Sequence, residues 1–190
     1  MEDRKLVERI KNRDESAFRE LVENYQDMVI NTCYGLLHDY NEAEDVAQDV
    51  FVEVYESINK FRGDSKIFTW LYRIAINKSI NASKKNKFRR FFTKIEDAFN
   101  GVETSDYEKS NDINTKPQRR LELIEDKQII KKALENLPNN QKIAFTLHKY
   151  EDVSYKEIAE IMDLSLSSVE SLIFRAKQNL KKKLVQYFIK

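Results

Sequence analysis

Glycine and proline are scarce in this sequence, and their scarcity limits the possible fold classes. The 190 residues include three glycines and two prolines, where average usage would give about 23 in total. A β-sandwich or barrel needs a turn about every 8–12 residues, so this composition argues against both. The glycine-rich phosphate loops GxGxxG and GxxxxGK are absent. Abundant Lys, Glu, Leu and Ile together with few turn formers predict an all-α protein.

Cysteine and long apolar segments are scarce as well. Cys33 is the single cysteine, which excludes an internal disulfide, and we expect it to be a buried apolar residue on a helix. No apolar run approaches the roughly 20 residues needed to cross a bilayer. The charged residues 1–5 lack the apolar core of a secretion signal. We therefore expect a cytoplasmic protein with no membrane insertion.

Residues suited to catalysis or metal binding are sparse. His38 and His148 are the two histidines, and they fall in different parts of the chain. No nucleophile–base pair and no metal-ligand cluster has a recognisable spacing. The sequence therefore predicts no catalytic residues, no metal site and no cofactor.

Charge is balanced overall but segregated along the chain. There are 33 basic and 32 acidic residues. Residues 42–56 contain six acids and no base, whereas residues 58–90 contain ten bases and one acid, and residues 166–183 five bases and one acid. Any one block could be a solvated helix face. Because like charges repel one another, adjacent blocks of opposite sign indicate surfaces with different partners.

Apolar residues at steps of three and four predict the N-terminal helices. A short helix is expected over Arg4–Lys11, a long one over Glu15–His38, and a third from an N-cap at Asn41. The loop Phe61–Ser65 then precedes a helix over Lys66–Lys85. The stripe expected to face the core after Asn41 is Ala43, Val46, Ala47, Val50, Val54 and Ile58.

The periodicity fails over residues 87–116, where a polar composition is typical of a linker. Further helices are predicted over Leu121–Asn136 and Gln141–Tyr150. We therefore expect two helical domains, 1–86 and 118–190, joined by a flexible linker, 87–117.

The C-terminal domain contains a pattern typical of a helix-turn-helix. Ser154 and Glu157 form a capping box that predicts a helix from Tyr155. A turn at residues 163–165 separates it from a second helix over Leu166–Lys183. Another type of αα-corner would give a similar pattern. Three residues are expected to set the crossing angle: Ala159, Leu164 and Val169.

The second helix of this motif begins with short polar residues and ends with basic ones. Short side chains let a backbone lie deep in a major groove, while Arg175 and Lys177 can reach phosphates. Glu170 is the exception, because phosphates repel a carboxylate unless it accepts from a cytosine amino group or faces sideways. The short polar residues are Ser167, Ser168 and Ser171.

Two further stripes face away from the apolar residues of their helices. Basic groups and amides interleaved with aromatics are typical of single-stranded nucleic-acid binding, although Phe68, Trp70 and Tyr72 could equally be core residues. An acidic stripe cannot bind DNA and favours a basic protein surface. The basic stripe is Lys66, Thr69, Arg73, Asn77, Asn81 and Lys84, beside Phe61, and the acidic stripe is Asp45, Asp49, Glu53 and Glu56, beside Gln48 and Val52.

These motifs resemble bacterial sigma factors. Region 2 is resembled by AEDVAQDVF (43–51), FRGDS (61–65) and TWLYRIAIN (69–77), and region 4 by LP (137–138), YKEIA (155–159) and SSVES (167–171). Since the chain has no room for regions 1 and 3, it is similar to the extracytoplasmic-function group. Many members have Gly-Thr-Val-Lys/Arg-Ser-Arg where this chain has residues 167–172, so two basic side chains are lost and the −35 sequence cannot be transferred.

The resemblance implies a subunit that binds core RNA polymerase and directs initiation at specific promoters without catalysing a reaction. Its partners would be the clamp helices of the largest subunit, the flap, and promoter DNA, both duplex and single-stranded. Such factors are commonly held inactive by an anti-sigma factor. The polymerase-binding residues would be Asp45, Gln48, Asp49, Val52 and Glu53, those for the −10 element Phe61, Arg62, Asp64, Lys66, Thr69, Arg73, Asn77 and Asn81, and those for the −35 element Ser167, Ser168, Glu170, Ser171, Phe174, Arg175 and Lys177.

The rival hypothesis is an ordinary helix-turn-helix regulator that binds palindromes as a dimer and needs no polymerase. It accounts for residues 121–183, but it leaves the acidic stripe and the segment Phe61–Asn81 without a role.

Overall fold

A computed structural model of the protein describes residues 2–100 and 128–188. Within these ranges the regular structure is helical, as the composition predicts. Predictions for residues 101–127 lie outside the described residues. The helices are α1 (Glu2–Lys11), α2 (Glu15–Leu37), α3 (Tyr40–Ser57), α4 (Ile67–Asn100), α5 (128–135), α6 (Asn139–Tyr150), α7 (Tyr155–Met162) and α8 (Leu166–Phe188), with a 3₁₀ turn at Ile58–Lys60.

Asp14 joins the first two helices. Its carboxylate accepts from the backbone N–H groups of Ser16 and Ala17 at 2.9 and 3.1 Å and so caps α2. The guanidinium of Arg9 in α1 donates to Asp14 and, across the turn, to Glu20. Hydrogen bonds from Ser16, Arg9 and Ala17 hold the pKa of Asp14 well below its usual range. The helix predicted over Glu15–His38 is confirmed to within one residue.

The prediction of Asn41 as the N-cap of α3 was wrong. Asp39 caps the helix instead, because its extended backbone lets the carboxylate accept from the N–H of Glu42 at 2.9 Å. Asn41 already lies in the first turn. The apolar stripe is confirmed, since all six of its residues are buried.

The helix α4 is longer than expected. The loop before it is confirmed, and Gly63 there has a positive φ of 79°, which glycine adopts at little cost. The helix continues to Asn100, so the prediction that it ends at Lys85 was wrong. Its side chains remain helix-compatible after the apolar period is lost. Whether residues 87–117 act as a linker stays a prediction.

The helix-turn-helix of α7 and α8 forms as predicted. The hydroxyl of Ser154 accepts from the backbone of Glu157, whose carboxylate accepts from Ser154 in return. Asp163 adopts the left-handed conformation that ends α7. Val169 is fully buried at the crossing, but Leu164 is 37% exposed. The expectation that Leu164 sets the crossing angle was therefore wrong, because the turn directs it outward.

Two helical units share a continuous apolar core. Helices α1–α4 enclose one buried cluster around Leu21, Val50 and Leu71. A second cluster joins Leu36 and Tyr72 of this first unit to the helices α6–α8 of the second. The helices α2 and α4 therefore pack directly on the second unit.

Candidate functional surfaces

The acidic stripe of α3 lies on the side opposite its buried stripe. Asp45, Gln48 and Asp49 are exposed, and Val52 is 56% exposed between them. Glu53 is half-buried and forms an ion pair with the Nζ of Lys78 in α4 at 3.3 Å. We call these five α3 residues the acidic surface. An exposed valine flanked by carboxylates suits contact with a basic protein surface that also offers apolar area.

The predicted −10 residues divide into exposed and buried groups. Arg62, Asp64 and Lys66 are exposed in the loop, and Arg73, Asn77 and Asn81 are exposed along α4. We call the exposed α4 side that begins at Lys66 the α4 face.

Phe61 and Thr69 do not reach this face. Phe61 is 9% exposed and packs on Trp70, with ring centroids 5.2 Å apart, while its carbonyl accepts from the Nζ of Lys11 at 2.7 Å. Thr69 is 1% exposed, and its Oγ1 has no hydrogen-bond partner among the described groups. Their roles in DNA binding stay predictions, which would require the loop and the start of α4 to rearrange.

The aromatics beside the basic stripe belong mainly to the core. Tyr72 is buried, and desolvation, with the charges of Glu151 and Glu157 adding to it, raises the pKa of its hydroxyl. Phe68 is half-buried and packs edge-on against Tyr72, with the ammonium of Lys66 over its ring at 5.1 Å. The structural role left open for Trp70 and Tyr72 is confirmed.

Arg73 is engaged by the second unit. Its guanidinium donates to the backbone carbonyls of Ile161 at 3.1 Å and Glu160 at 2.7 Å, both in α7. Asp163 lines the same groove as Lys66 and Arg73. The α4 face is thus partly covered by α7, an arrangement that local sequence patterns do not signal.

The predicted −35 residues lie on an uncovered side of α8. Ser167, Glu170, Arg175 and Lys177 are exposed and Phe174 is 63% exposed, whereas Ser168 and Ser171 are half-buried. Ser165 begins the helix, its hydroxyl accepting from the N–H of Ser168 at 3.2 Å. The opposite side of α8 packs into the core through Val169, Ile173 and Ala176.

The titratable residues outside these surfaces are structural. Cys33 is buried, as predicted, and desolvation raises the pKa of its thiol to about 11. Desolvation, with the charge of Lys142, lowers the pKa of His38 to about 4, so this imidazole is neutral at pH 7. His148 packs edge-on against Tyr155. Over residues 2–100 and 128–188 no group of three His, Cys, Asp or Glu side chains is arranged to hold a metal ion.

The helices of the described part are also too short in apolar sequence to cross a membrane. Taken together, the fold and these surfaces define an all-α protein of two packed helical units, of which the second contains a helix-turn-helix with an open basic face.

Comparisons with known proteins identify the family. The sequence matches Sigma-70 region 2 over residues 21–89 and Sigma-70, region 4 over residues 127–180. It is 34% identical over 187 residues to the RNA polymerase sigma-H factor of Pseudomonas aeruginosa, covering 96% of this chain and 94% of the relative. It is 39% identical over 188 residues to the ECF RNA polymerase sigma-E factor of Haemophilus influenzae, covering 96% and 95%.

Two solved structures share the fold. One is CnrH in complex with the cytosolic domain of CnrY, with a TM-score of 0.64, 22% identity and 96% of both chains covered. The other is the sigma factor RpoE in complex with the anti-sigma factor NepR from Bartonella quintana, with a TM-score of 0.56, 21% identity and coverage of 88% of this chain and 96% of that chain.

The protein therefore belongs to the extracytoplasmic-function (ECF) group of RNA polymerase sigma factors. It directs promoter-specific initiation of transcription by RNA polymerase, which confirms the function expected from the sequence motifs.

Proposed function

We propose that this sigma factor divides its work among the three surfaces. The acidic surface of α3 docks on the clamp helices of the largest polymerase subunit. The α4 face and its loop open the −10 element and hold an extruded base, and α8 reads the −35 duplex while its domain contacts the flap. The functional units are residues 1–86 and 118–190, with 87–117 as the linker between them.

One observation carries this division: the exposed charges are sorted by sign onto different helices. The acidic surface lies on α3, whereas exposed Lys66 and Arg73 lie on α4 and exposed Arg175 and Lys177 on α8. DNA repels the first surface and attracts the other two. The ion pair of Glu53 with Lys78 ties α3 to α4, so a docked polymerase would hold the α4 face at a defined position.

Further parts of the proposal concern what the factor does not do alone. We infer that it acts in the cytoplasm and catalyses no reaction, the polymerase supplying the chemistry. An anti-sigma factor is its expected regulator, since the solved structures of similar fold are named as complexes of sigma factors, one of them with an anti-sigma factor.

The sharpest test of the docking surface is Asp49→Lys. Asp49 is exposed at the centre of the acidic surface, so reversing its charge places a cation against a basic partner. Association with core polymerase in a pull-down should fall at least about tenfold, as expected for an unfavourable charge contact. The matched control is Asp27→Lys, an equal reversal on exposed α2. Unchanged association of Asp49→Lys would favour the polymerase-independent regulator.

The test of the α4 face is Asn77→Ala. Asn77 is exposed, and no hydrogen bond of its side chain holds the fold. If its amide contacts an extruded base, promoter opening by the holoenzyme should fall while core association is retained. Normal open-complex formation, followed by permanganate reactivity of unpaired thymines, would remove Asn77 from this surface.

A further inference from the structure

The contact between α7 and the α4 face has the chemistry of a phosphate contact. Glu160 and Ile161 lie in the last turn of α7, where backbone carbonyls have no partner within the helix. These carbonyls form the negative end of the helix dipole. Arg73 donates to both, at 2.7 and 3.1 Å. A guanidinium proposed to bind DNA is thus already saturated by two anionic-like oxygens of its own chain.

Charged side chains extend this contact. Glu157 belongs to α7, and its pKa is lowered by the hydroxyl of Ser154 and also by the positive charge of Lys66. Glu160 and Asp163 line the groove that Lys66 and Arg73 share. Carboxylates of α7 therefore face the two basic residues at the start of the α4 face, which is the charge pattern that a DNA backbone would present.

A second contact holds the two units in this arrangement. The Oγ1 of Thr146 in α6 donates to the carbonyl of Gly35 in α2 at 3.1 Å. A Cβ on Gly35 would lie 2.5 Å from the Cγ2 of Thr146 and 3.4 Å from the ring of Tyr150. The helices can approach this closely only because residue 35 has no side chain.

The apolar core supports the closed arrangement. Leu36 and Tyr72 of the first unit are buried with Leu147, Ile158 and Ile161 of the second. Burial of this area is favourable wherever the units meet, so the contact at Arg73 is part of a packed interface.

From these observations we propose that the closed form is autoinhibited: α7 occupies the place of the −10 strand on the α4 face until the two units separate. The proposal rests on the −10 role assigned above to that face. A chain that is mostly closed binds with an affinity reduced by its open fraction. The free factor should therefore bind single-stranded −10 DNA weakly, and separation of the units on the polymerase should restore binding.

The variant Gly35→Ala tests this directly. Thr146 is buried and β-branched, so it cannot turn its methyl away without losing the hydrogen bond to Gly35. Alanine favours the helix itself over glycine, so α2 should stay folded while the interface opens. Thr146→Ser removes only the clashing methyl and keeps the hydroxyl, so the double variant should close again. Asn31→Ala, at an exposed position one turn earlier on α2, is the matched control.

Two readouts are needed on the full chain without polymerase. Spin labels at exposed Asn59 and Gln178, one on each unit, report the separation. Affinity is measured for a single-stranded oligonucleotide of the non-template −10 strand, taken from a promoter that the factor itself uses in transcription of a genomic DNA pool. Gly35→Ala should lengthen the label distance and bind at least about tenfold tighter, and the double variant and the control should behave as the unaltered chain.

A second variant keeps the test decisive if Gly35→Ala folds poorly by circular dichroism. Glu160→Gln with Asp163→Asn removes two carboxylates from the groove at exposed positions, and asparagine tolerates the left-handed backbone of residue 163. It should increase oligonucleotide affinity several-fold in the same direction.

The failure of this inference differs from the failure of the proposed −10 role. Equal affinity of the closed and opened chains, with Arg73→Ala still blocking promoter opening by the holoenzyme, overturns autoinhibition alone. Normal promoter opening by the holoenzyme with Arg73→Ala overturns the −10 role and the inference with it. A label distance that is already long in the unaltered chain also overturns the closed form.

Discussion

The two surfaces proposed to bind DNA differ in what covers them. The α4 face contacts α7, which holds Arg73 by two backbone carbonyls. The outer side of α8 has no such cover among the described residues, and Phe174 there is 63% exposed. Both belong to one chain and both present basic groups, yet only the second is available for binding as the chain folds. Charge pattern alone thus predicts where DNA binds, while packing between the units decides which surface is free.

The largest expected effect concerns the core beneath the covered face. Leu71 of α4 is fully buried, so Leu71→Ala should lower the free energy of unfolding by about 2–5 kcal/mol. Urea unfolding followed by the fluorescence of Trp70, the single tryptophan, measures it. Asn24→Ala, on exposed α2, should change stability by less than about 0.5 kcal/mol. A loss near that value for Leu71→Ala would show that the core of the first unit is not packed as described.

The next effect concerns the uncovered surface. Arg175→Ala should weaken binding to the −35 duplex by about 1–3 kcal/mol if the guanidinium reads a base. The loss should be the same with and without Gly35→Ala, because α8 is exposed in either arrangement. Titration at fixed salt measures it, with exposed Gln178→Ala as the control. A loss below a few tenths would remove Arg175 from the reading surface.

A smaller, pH-dependent effect concerns Glu151, which lies at the end of α6 beside Tyr72 of α4. Desolvation, with the charge of Asp152 adding to it, raises the pKa of Glu151 to about 7, and its Oε1 has no hydrogen-bond partner among the described groups. Between its ordinary pKa and about 7 the folded chain holds a proton that the unfolded chain has lost. Stability should therefore fall as pH rises through this range.

The variant Glu151→Gln removes this penalty. It should add about 1 kcal/mol to the free energy of unfolding at pH 8, a value reduced from the full linkage because the side chain is half-exposed, and almost nothing near pH 4.5. Urea unfolding at the two pH values measures the difference, with exposed Glu23→Gln as the control. An equal gain at both pH values would show that proton binding is not the cause.

The smallest effect concerns the ion pair that joins the acidic surface to α4. Glu53 and Lys78 are 45% and 36% exposed and 3.3 Å apart, so solvent screens their attraction. Lys78→Ala should cost about 0.2–1 kcal/mol, and the cost should shrink in high salt. A double-mutant cycle with Glu53→Gln measures the coupling. A coupling that salt leaves unchanged would indicate packing of the lysine stem instead.

Local patterns predicted the helices well where one side of a helix is buried. The apolar stripe of α3 and the capping box at Ser154 both appear as expected, because each depends on residues within a few positions. Asn41 was chosen over Asp39 because both are good N-cap residues and only the backbone angle at the cap distinguishes them. The end of α4 was missed because a helix can continue on intrinsic propensity after its apolar period stops.

The candidate site was predicted unevenly for a related reason. Residues of the acidic surface and of α8 are exposed as expected, since they lie opposite apolar stripes of their own helices. Thr69 follows the polar spacing of the α4 face but is buried, because its surroundings come from other helices. The pairing of Gly35 with Thr146, 111 positions apart, leaves no trace in any local pattern.

The sequence by itself determined the all-α class, the helix-turn-helix and the sorting of charge by helix, because these follow from spacing and side-chain chemistry within short segments. The tertiary structure decided that the two units share a core, that α7 covers the α4 face and that α8 stays open. Those outcomes depend on how two helices approach each other, and a glycine in one and a threonine methyl in the other set that approach to within a few tenths of an ångström.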